Sequence, residues 1–243
     1  MAQFLPVLFE GDEFVVVAKP PRLAAHPSEM VRDRHTVIDL GRKQFGKRVY
    51  LPHRLDRAVS GCLVIAFSPE RAASLHDSLR DEDAAKEYLS FVRGKWKWEE
   101  QVRVVELPMA DPDGSMKEAR TRVTHLASSS EPRCGLLLAE PFTGRFHQVR
   151  RHVRDLDHPI LRDPVHGDGR ENRLWKDEYG LKRLGLHCAR LALTVDGARL
   201  DVVCPLAADL AEVLAKVPWW DEVRPRHPAL MCEPIVLRSP NRQ

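Results

Sequence analysis

Residues 51–67, LPHRLDRAVSGCLVIAF, set two charges, Arg54 and Asp56, directly ahead of an apolar, β-branched run that reads as a buried strand. Charged side chains go inside a protein only when they are paired. A carboxylate fixed at the mouth of such a strand is therefore either a structural ion-pair partner or a chemical group. A second run of the same kind, FVVVA at 14–18, is stopped by Lys19-Pro20-Pro21.

The remaining pattern supplies more strands than helices. KEYLSFVRG (86–94) alternates Tyr88, Ser90 and Val92 against Leu89 and Phe91, so Lys86 and Tyr88 point the same way. TRVTHLA, GLLLAEPF, GLHCARLALTV and RLDVVC read as further strands, the last two joined by a turn at Asp196-Gly197. Helices are expected over 36–45, from the Ser68 cap and Pro69 to about Leu79, over 146–156 with Phe146, Val149 and Val153 on one face, and over 206–217. Strands and helices do not alternate regularly. The expected class is α+β, with a mixed, mostly antiparallel sheet and flanking helices. A single domain over 1–230 with a polar tail at 231–243 is expected.

At 243 residues the chain is long enough for a sizeable core, and 43% apolar with 30% charged residues fits a soluble protein. No apolar run approaches the ~20 residues of a membrane span, so no membrane partner is expected. The opening MAQFLPVLFEGDEF lacks a basic leader. Five scattered cysteines without a C-x-x-C spacing read as reduced, in a cytoplasmic protein. The formal charge of +3 says little, but Arg145, Arg150, Arg151 and Arg154 crowd one segment with His147 and His152, a local basic stripe suited to a polyanion.

Metal and kinase chemistry find no support. There is no H-E-x-x-H and no Cys/His quartet, and DPDGS at 111–115 begins like a calcium loop whose twelfth position is Arg122. His-Arg-Leu-Asp is not a kinase catalytic loop, and no serine or cysteine sits in an elbow motif. What remains is four stretches: His53-Arg54-Leu55-Asp56 with Ser60-Gly61; Lys86 and Tyr88; TGRFHQVRRH, where Gly144 can open a helix whose amides face an anion; and HPILRDPVHGDGRENR (158–173), a shaped loop carrying His166, Asp168, Asn172 and Arg173. Each has a plain alternative: an ion-paired loop, an amphipathic strand, a solvated basic helix, an idle surface loop. Together they offer a carboxylate at the mouth of a strand, one phenol and several guanidinium groups, which suits chemistry on a nucleotide.

The order of these motifs resembles the RluA-type pseudouridine synthases. It runs Lys-Pro and His-Pro, then His-Arg-Leu-Asp and Ser-Gly, then Lys-x-Tyr, then Gly-Arg-x-His-Gln-x-Arg, over nearly the whole chain. The resemblance implies isomerisation of uridine to pseudouridine in RNA, with no cofactor and no metal. It implies that Asp56 is the catalytic aspartate, that Tyr88 packs on the target base, that Arg150 pairs with Asp56, and that Arg54 helps fill the gap left by the flipped nucleotide. His53, Ser60, Gly61, Lys86 and Arg145 fall on surrounding motif positions. Arg151, Arg154, His166 and Arg173 are expected to bind RNA. Two positions depart from the family pattern: Val59 stands where Thr is usual, and Arg22 where Gly follows Lys-Pro-x. The 158–173 stretch is similar to the tRNA pseudouridine synthase C branch, which implies a tRNA stem uridine, of the uridine-65 type; no appended S4-like domain is expected, which also favours tRNA, and a monomer is expected. A synthase acting on ribosomal RNA, an RNA-binding relative that lost the chemistry, and a metal-dependent nucleic-acid hydrolase are the alternatives. The present Asp56, Tyr88 and Arg150 speak against the second, and the absence of H-E-x-x-H and of a Cys/His quartet against the third.

Overall fold

A computed structural model describes residues 4–26 and 35–238. The chain order is β1 (Val7–Gly11), β2 (Phe14–Lys19), α1 (Val37–Phe45), β3 (Ser60–Ala66), α2 (Pro69–Ser78), β4 (Ala85–Arg93), β5 (Val102–Glu106), a small hairpin of β6 (Met109–Ala110) and β7 (Met116–Lys117), β8 (Arg120–Ser130), β9 (Arg133–Pro141), α3 (Gln148–Asp155), α4 (Gly169–Asp177), β10 (Leu186–Val195), β11 (Ala198–Val203) and α5 (Ala208–Leu214), followed by short helical turns. The expected α+β class is present. Nine strands form one sheet in the order β1-β2-β3-β10-β4-β9-β8-β5, with β11 on β10, and every pairing in it is antiparallel except β3 with β10.

That one parallel pairing is short. Ser60 and Gly61 lie against His187 and Cys188, after which β11 takes over the same side of β10 from Arg190 onward. The sheet forks there. Gly61 is required at the fork: its φ is +118°, and a Cβ would come 2.1 Å from the Cys188 carbonyl oxygen.

The runs FVVVA and CLVIA are buried along their whole length because β2 and β3 are covered on both faces, and Phe67 just beyond β3 is half-buried. On β4 the alternation sends Tyr88 and Val92 toward one apolar cluster and Leu89 and Phe91 toward another. The first cluster joins α1, α2 and α3 to the sheet. The second joins α4 and α5, with Phe91 edge-on to Trp175 at 4.9 Å and to Trp219 at 6.2 Å. The hairpin turn Asp196-Gly197 has positive φ at both residues, as a tight two-residue turn demands.

Local signals place the helix ends. Thr36 forms a reciprocal capping box with Asp39, and Ser68 caps the amide of Arg71 ahead of Pro69. Three expectations are corrected. The 146–156 helix begins at Gln148, so Phe146 lies ahead of it and is 40% exposed. The second half of the 158–173 loop is α4, capped by Asp168, whose carboxylate accepts from the amides of Arg170 and Glu171. The 206–217 helix is the shorter α5. Past residue 230 the chain is still bonded to the domain: the Ile235 amide donates to Leu206 O and its carbonyl accepts from Ala208. The final stretch from residue 239 lies outside the described residues, as does the continuation of the His26-Pro27 motif.

Candidate active site

The loop between α1 and β3 delivers Asp56 to the wall of a cleft of about 600 Å³, opposite residues 141–150. Three attachments hold this loop. His53 accepts a hydrogen bond at Nε2 from the Val64 amide at 3.0 Å. Lys19, fully buried at the end of β2, donates from Nζ to the carbonyls of Pro20, Leu23 and Arg57. Ser60 is locked below the fork by His187 Nδ1 at 2.7 Å and by Arg183. Burial pulls the Lys19 amine down to about 7, helped by the charge of Arg183 and opposed by that of Asp56. Burial, with the nearby charges of Lys86 and His76, drives the His53 imidazole down to about 3, so it is a neutral acceptor.

Arg150 comes from the first turn of α3. Its Nη1 donates to Asp56 Oδ2 at 3.0 Å, and its Nε and Nη2 bind Asp163 in a two-pronged contact of 2.7 and 2.8 Å. Arg150 is 4% exposed and the Asp163 side chain fully enclosed, whereas Asp56 is 26% exposed and opens into the cleft. Burial alone would raise the Asp163 carboxyl. Hydrogen bonds from Arg150 and from the amides of His166 and Val165 outweigh it and hold the group below the usual carboxylate range. Burial disfavours the charged Arg150, yet its two carboxylate partners hold it more firmly protonated than a free guanidinium.

Tyr88 and Lys86 reach the same cleft from β4. Burial, then the proximity of Cys188 and Asp56, keeps the Tyr88 phenol protonated well above its ordinary range. Lys86 donates to Leu79 O at 2.8 Å, and its amine is lowered by burial. Arg54 is exposed at the cleft rim. Gln148 shapes the turn before α3: its Oε1 accepts from Thr143 Oγ1 and the Arg145 amide, and its Nε2 donates to Arg120 O and Thr121 Oγ1. This turn presents Arg145, Phe146 and His147 to the cleft.

The basic segment splits by direction. Arg150 turns inward, while Arg151 binds Ala110 O and Arg154 pairs with its neighbour Asp155 near the surface. Gly144 opens no helix, because the left-handed backbone of His147 (φ 54°) intervenes. The polar groups of 158–173 are spent largely on the loop itself. Asn172 donates to Asp163 O and accepts from the Arg162 amide, Asp168 caps α4 and meets Arg93, and His166 bonds His147. Arg173 sits on α4 in a separate shallow depression, away from the cleft. His53 likewise serves the loop, since its acceptor nitrogen is committed to β3. Arg22, at the usual glycine position, adopts φ 65°, the left-handed geometry that favours glycine.

Asp163, Lys19, Gln148 and the His147–His166 contact were not singled out from the sequence. A signal existed for Asp163: a buried arginine with only a half-exposed partner needs a second counter-charge, and the loop after α3 carries one.

This arrangement defines an enzyme of the cleft-and-carboxylate type, with cations on the rim. Comparison with known proteins narrows the class. Residues 13–155 match the family model described as RNA pseudouridylate synthase. The chain is 36% identical to tRNA pseudouridine synthase C of Vibrio vulnificus over 84% of this chain and 91% of that one, and 32% identical to the Salmonella typhi protein of the same name over 88% and 90%. The fold is similar to that of human RNA pseudouridylate synthase domain containing 4, with a TM-score of 0.70 at 24% identity over 86% and 92% of the two chains. The chain belongs to the RNA pseudouridylate synthase family, whose members are isomerases.

Proposed function

We propose that the chain converts a stem uridine of tRNA, of the uridine-65 type, to pseudouridine, with Asp56 as nucleophile and no cofactor. The observation that carries this reading is the 3.0 Å contact between Asp56 and Arg150 at the wall of a cleft that also holds Tyr88. The relatives named tRNA pseudouridine synthase C, matched over most of both chains, support tRNA as the substrate.

The reaction breaks the N1–C1′ bond, turns the uracil and rejoins it through C5. Every atom of the product is already in the substrate. The base must first leave its stack, at a cost of a few kcal/mol. Arg150, held from behind by Asp163, orients the Asp56 carboxylate toward the cleft. Tyr88, a neutral phenol, offers its ring to the flipped base. Arg54, Lys86 and Arg145 in the cleft, with Arg151 and Arg154 beside it, supply cations for the RNA backbone. Such contacts position the substrate without reading its sequence.

The test uses the purified chain and an unmodified tRNA transcript, with pseudouridine mapped at single-nucleotide resolution. The wild type is expected to convert one stem uridine, and Asp56→Asn to convert none while still binding the transcript. Turnover by Asp56→Asn would remove Asp56 from its role. Conversion of ribosomal RNA alone would replace the substrate, and binding of RNA without conversion of any would make the chain the inactive relative.

A further inference from the structure

His147 stands at the one place in the cleft where a neutral base meets the carboxylate. Its Nε2 is 3.7 Å from Asp56 Oδ2, and its Nδ1 is 3.0 Å from His166 Nε2. Phe146 stacks on the ring at 3.8 Å and fixes its plane. The groups that face it are Asp56, Arg150, Asp163 and His166. Burial first, then the charges of Arg150 and His166, pull the imidazole down to about 4 against the opposing pull of Asp56 and Asp163, so it is uncharged near neutral pH.

The other cleft groups are committed elsewhere. Tyr88 is held protonated. His53 Nε2 already accepts from Val64, His76 Nδ1 faces Pro52 O, and Lys86 donates to Leu79 O. His26 lies exposed at the rim near the charge of Arg54. Among the described residues, His147 is the histidine within ion-pair reach of Asp56.

We infer that His147 is the base that removes the C5 proton of the rejoined nucleotide, with His166 holding its tautomer. This rests on the synthase reading above. The isomerisation needs such a group. Asp56 bonds to C1′ as the C1′–N1 bond breaks with its electron pair left on N1; the C5=C6 pair then forms the C1′–C5 bond and expels the Asp56 carboxylate, while the N1 pair forms N1=C6. Carbon 5 at that stage carries both its hydrogen and the ribose. The C5–H bond breaks, its pair restores C5=C6, the N1=C6 pair returns to N1, and the proton passes to His147 Nε2. Water protonates N1, and the imidazolium returns its proton to water, so one proton is lost and one gained. We assign the donor in the bond between the two rings to His147: with Nδ1–H given to His166, the lone pair of His147 lies on Nε2, the side of Asp56 and the cleft.

The test is His147→Asn, compared on two RNAs. Asparagine tolerates the left-handed backbone of position 147, keeps a polar atom near the place of Nδ1, and removes Nε2. On tRNA carrying [5-³H]uridine, single-turnover tritium release is expected to fall about 10²-fold or more, the usual contribution of a positioned base. Deuterium at C5 should then slow the variant but not the wild type. On RNA carrying 5-fluorouridine there is no C5 proton to remove, so the variant should consume that RNA at the wild-type rate. This second rate also certifies that the variant is folded. A loss of equal size on both RNAs would overturn the inference and make His147 a positioning residue for Asp56. An unchanged tritium rate without an isotope effect in His147→Asn, repeated in His147→Gln, would also overturn it. Failure of the wild type to release tritium from any RNA would instead overturn the synthase reading itself.

Discussion

Two buried arginines bracket the segment from Asp56 to Ser60, and they are held in opposite ways. Arg150 lies between two carboxylates, one sealed and one open to the cleft, and its charge is reinforced. Arg183, below the sheet fork, donates to Ser60 Oγ and to the carbonyls of Leu184 and Leu186, with only the half-exposed Asp209 at 3.4 Å as counter-ion. Burial lowers the Arg183 guanidinium and Asp209 only partly restores it. Both clusters are dense in buried polar groups, yet of their carboxylates it is Asp56 that lines the cleft. Enclosure of charge marks a cluster that must be satisfied; a shared wall with a cleft marks one that can react.

The largest expected effect separates the sealed from the open carboxylate. Asp163→Asn leaves Arg150 with half its compensation in a dry site and should cost about 3–5 kcal/mol of stability in urea melts. Asp56→Asn, at a half-exposed position, should cost about 1 kcal/mol or less while abolishing turnover. Arg183→Met is the companion from the other cluster: a stability loss, with the single-turnover rate of the folded protein within threefold of wild type. A collapse of rate without loss of stability in Arg183→Met would erase the contrast between the clusters.

A smaller effect concerns acid. His147 and His53 are held at about 4 and about 3, against 6.5 for a free imidazole, so the folded state resists protons that the unfolded state accepts. Their contribution is complete above pH 6.5 and is lost as pH falls, down to about 4 for His147 and about 3 for His53. Denaturation curves between pH 7.5 and 4.5 should show falling stability, and His53→Gln should flatten the fall. An unaltered slope in that variant would move the acid sensitivity away from the active-site loop.

The smallest effect is on the rim. Arg154→Ala should reduce the slope of log affinity against log salt by roughly one unit and leave the saturated rate intact. Arg150→Ala should lower the saturated rate steeply. Equal losses of affinity with wild-type rates in both would mean that the inward and outward arginines of α3 do one job.

Much of this arrangement was legible in the chain. Period-two alternation, the Ser68-Pro69 cap and the Asp196-Gly197 turn are local signals, and local signals set the strands and most helix ends. Asp56, Arg150 and Tyr88 could be brought together because their motifs occur in one familiar order. Periodicity could not tell which arginine of α3 turns inward, because that depends on Asp163, thirteen residues beyond Arg150 and held in place by bonds within its own irregular loop. Nor could it foresee that His147 adopts a left-handed backbone, which both delays α3 and swings the imidazole toward Asp56. The polar density of 158–173 looked like a binding surface and is mostly internal bracing.

The fork at Gly61 separates two kinds of inheritance. The parts that hold the Asp56 loop are enclosed: Lys19 and Ser60 are fully buried and hydrogen-bonded, and at Gly61 an added methyl group would collide with the main chain of Cys188. The cations that would grip an RNA are on the rim, attached to the turn before α3, to α3 and to the loop ahead of Asp56. Exchange of rim residues is therefore expected to change which RNA binds while leaving Asp56 and its Arg150–Asp163 support in place. A lineage built on this frame can acquire a new RNA one surface residue at a time while its reaction stays the same.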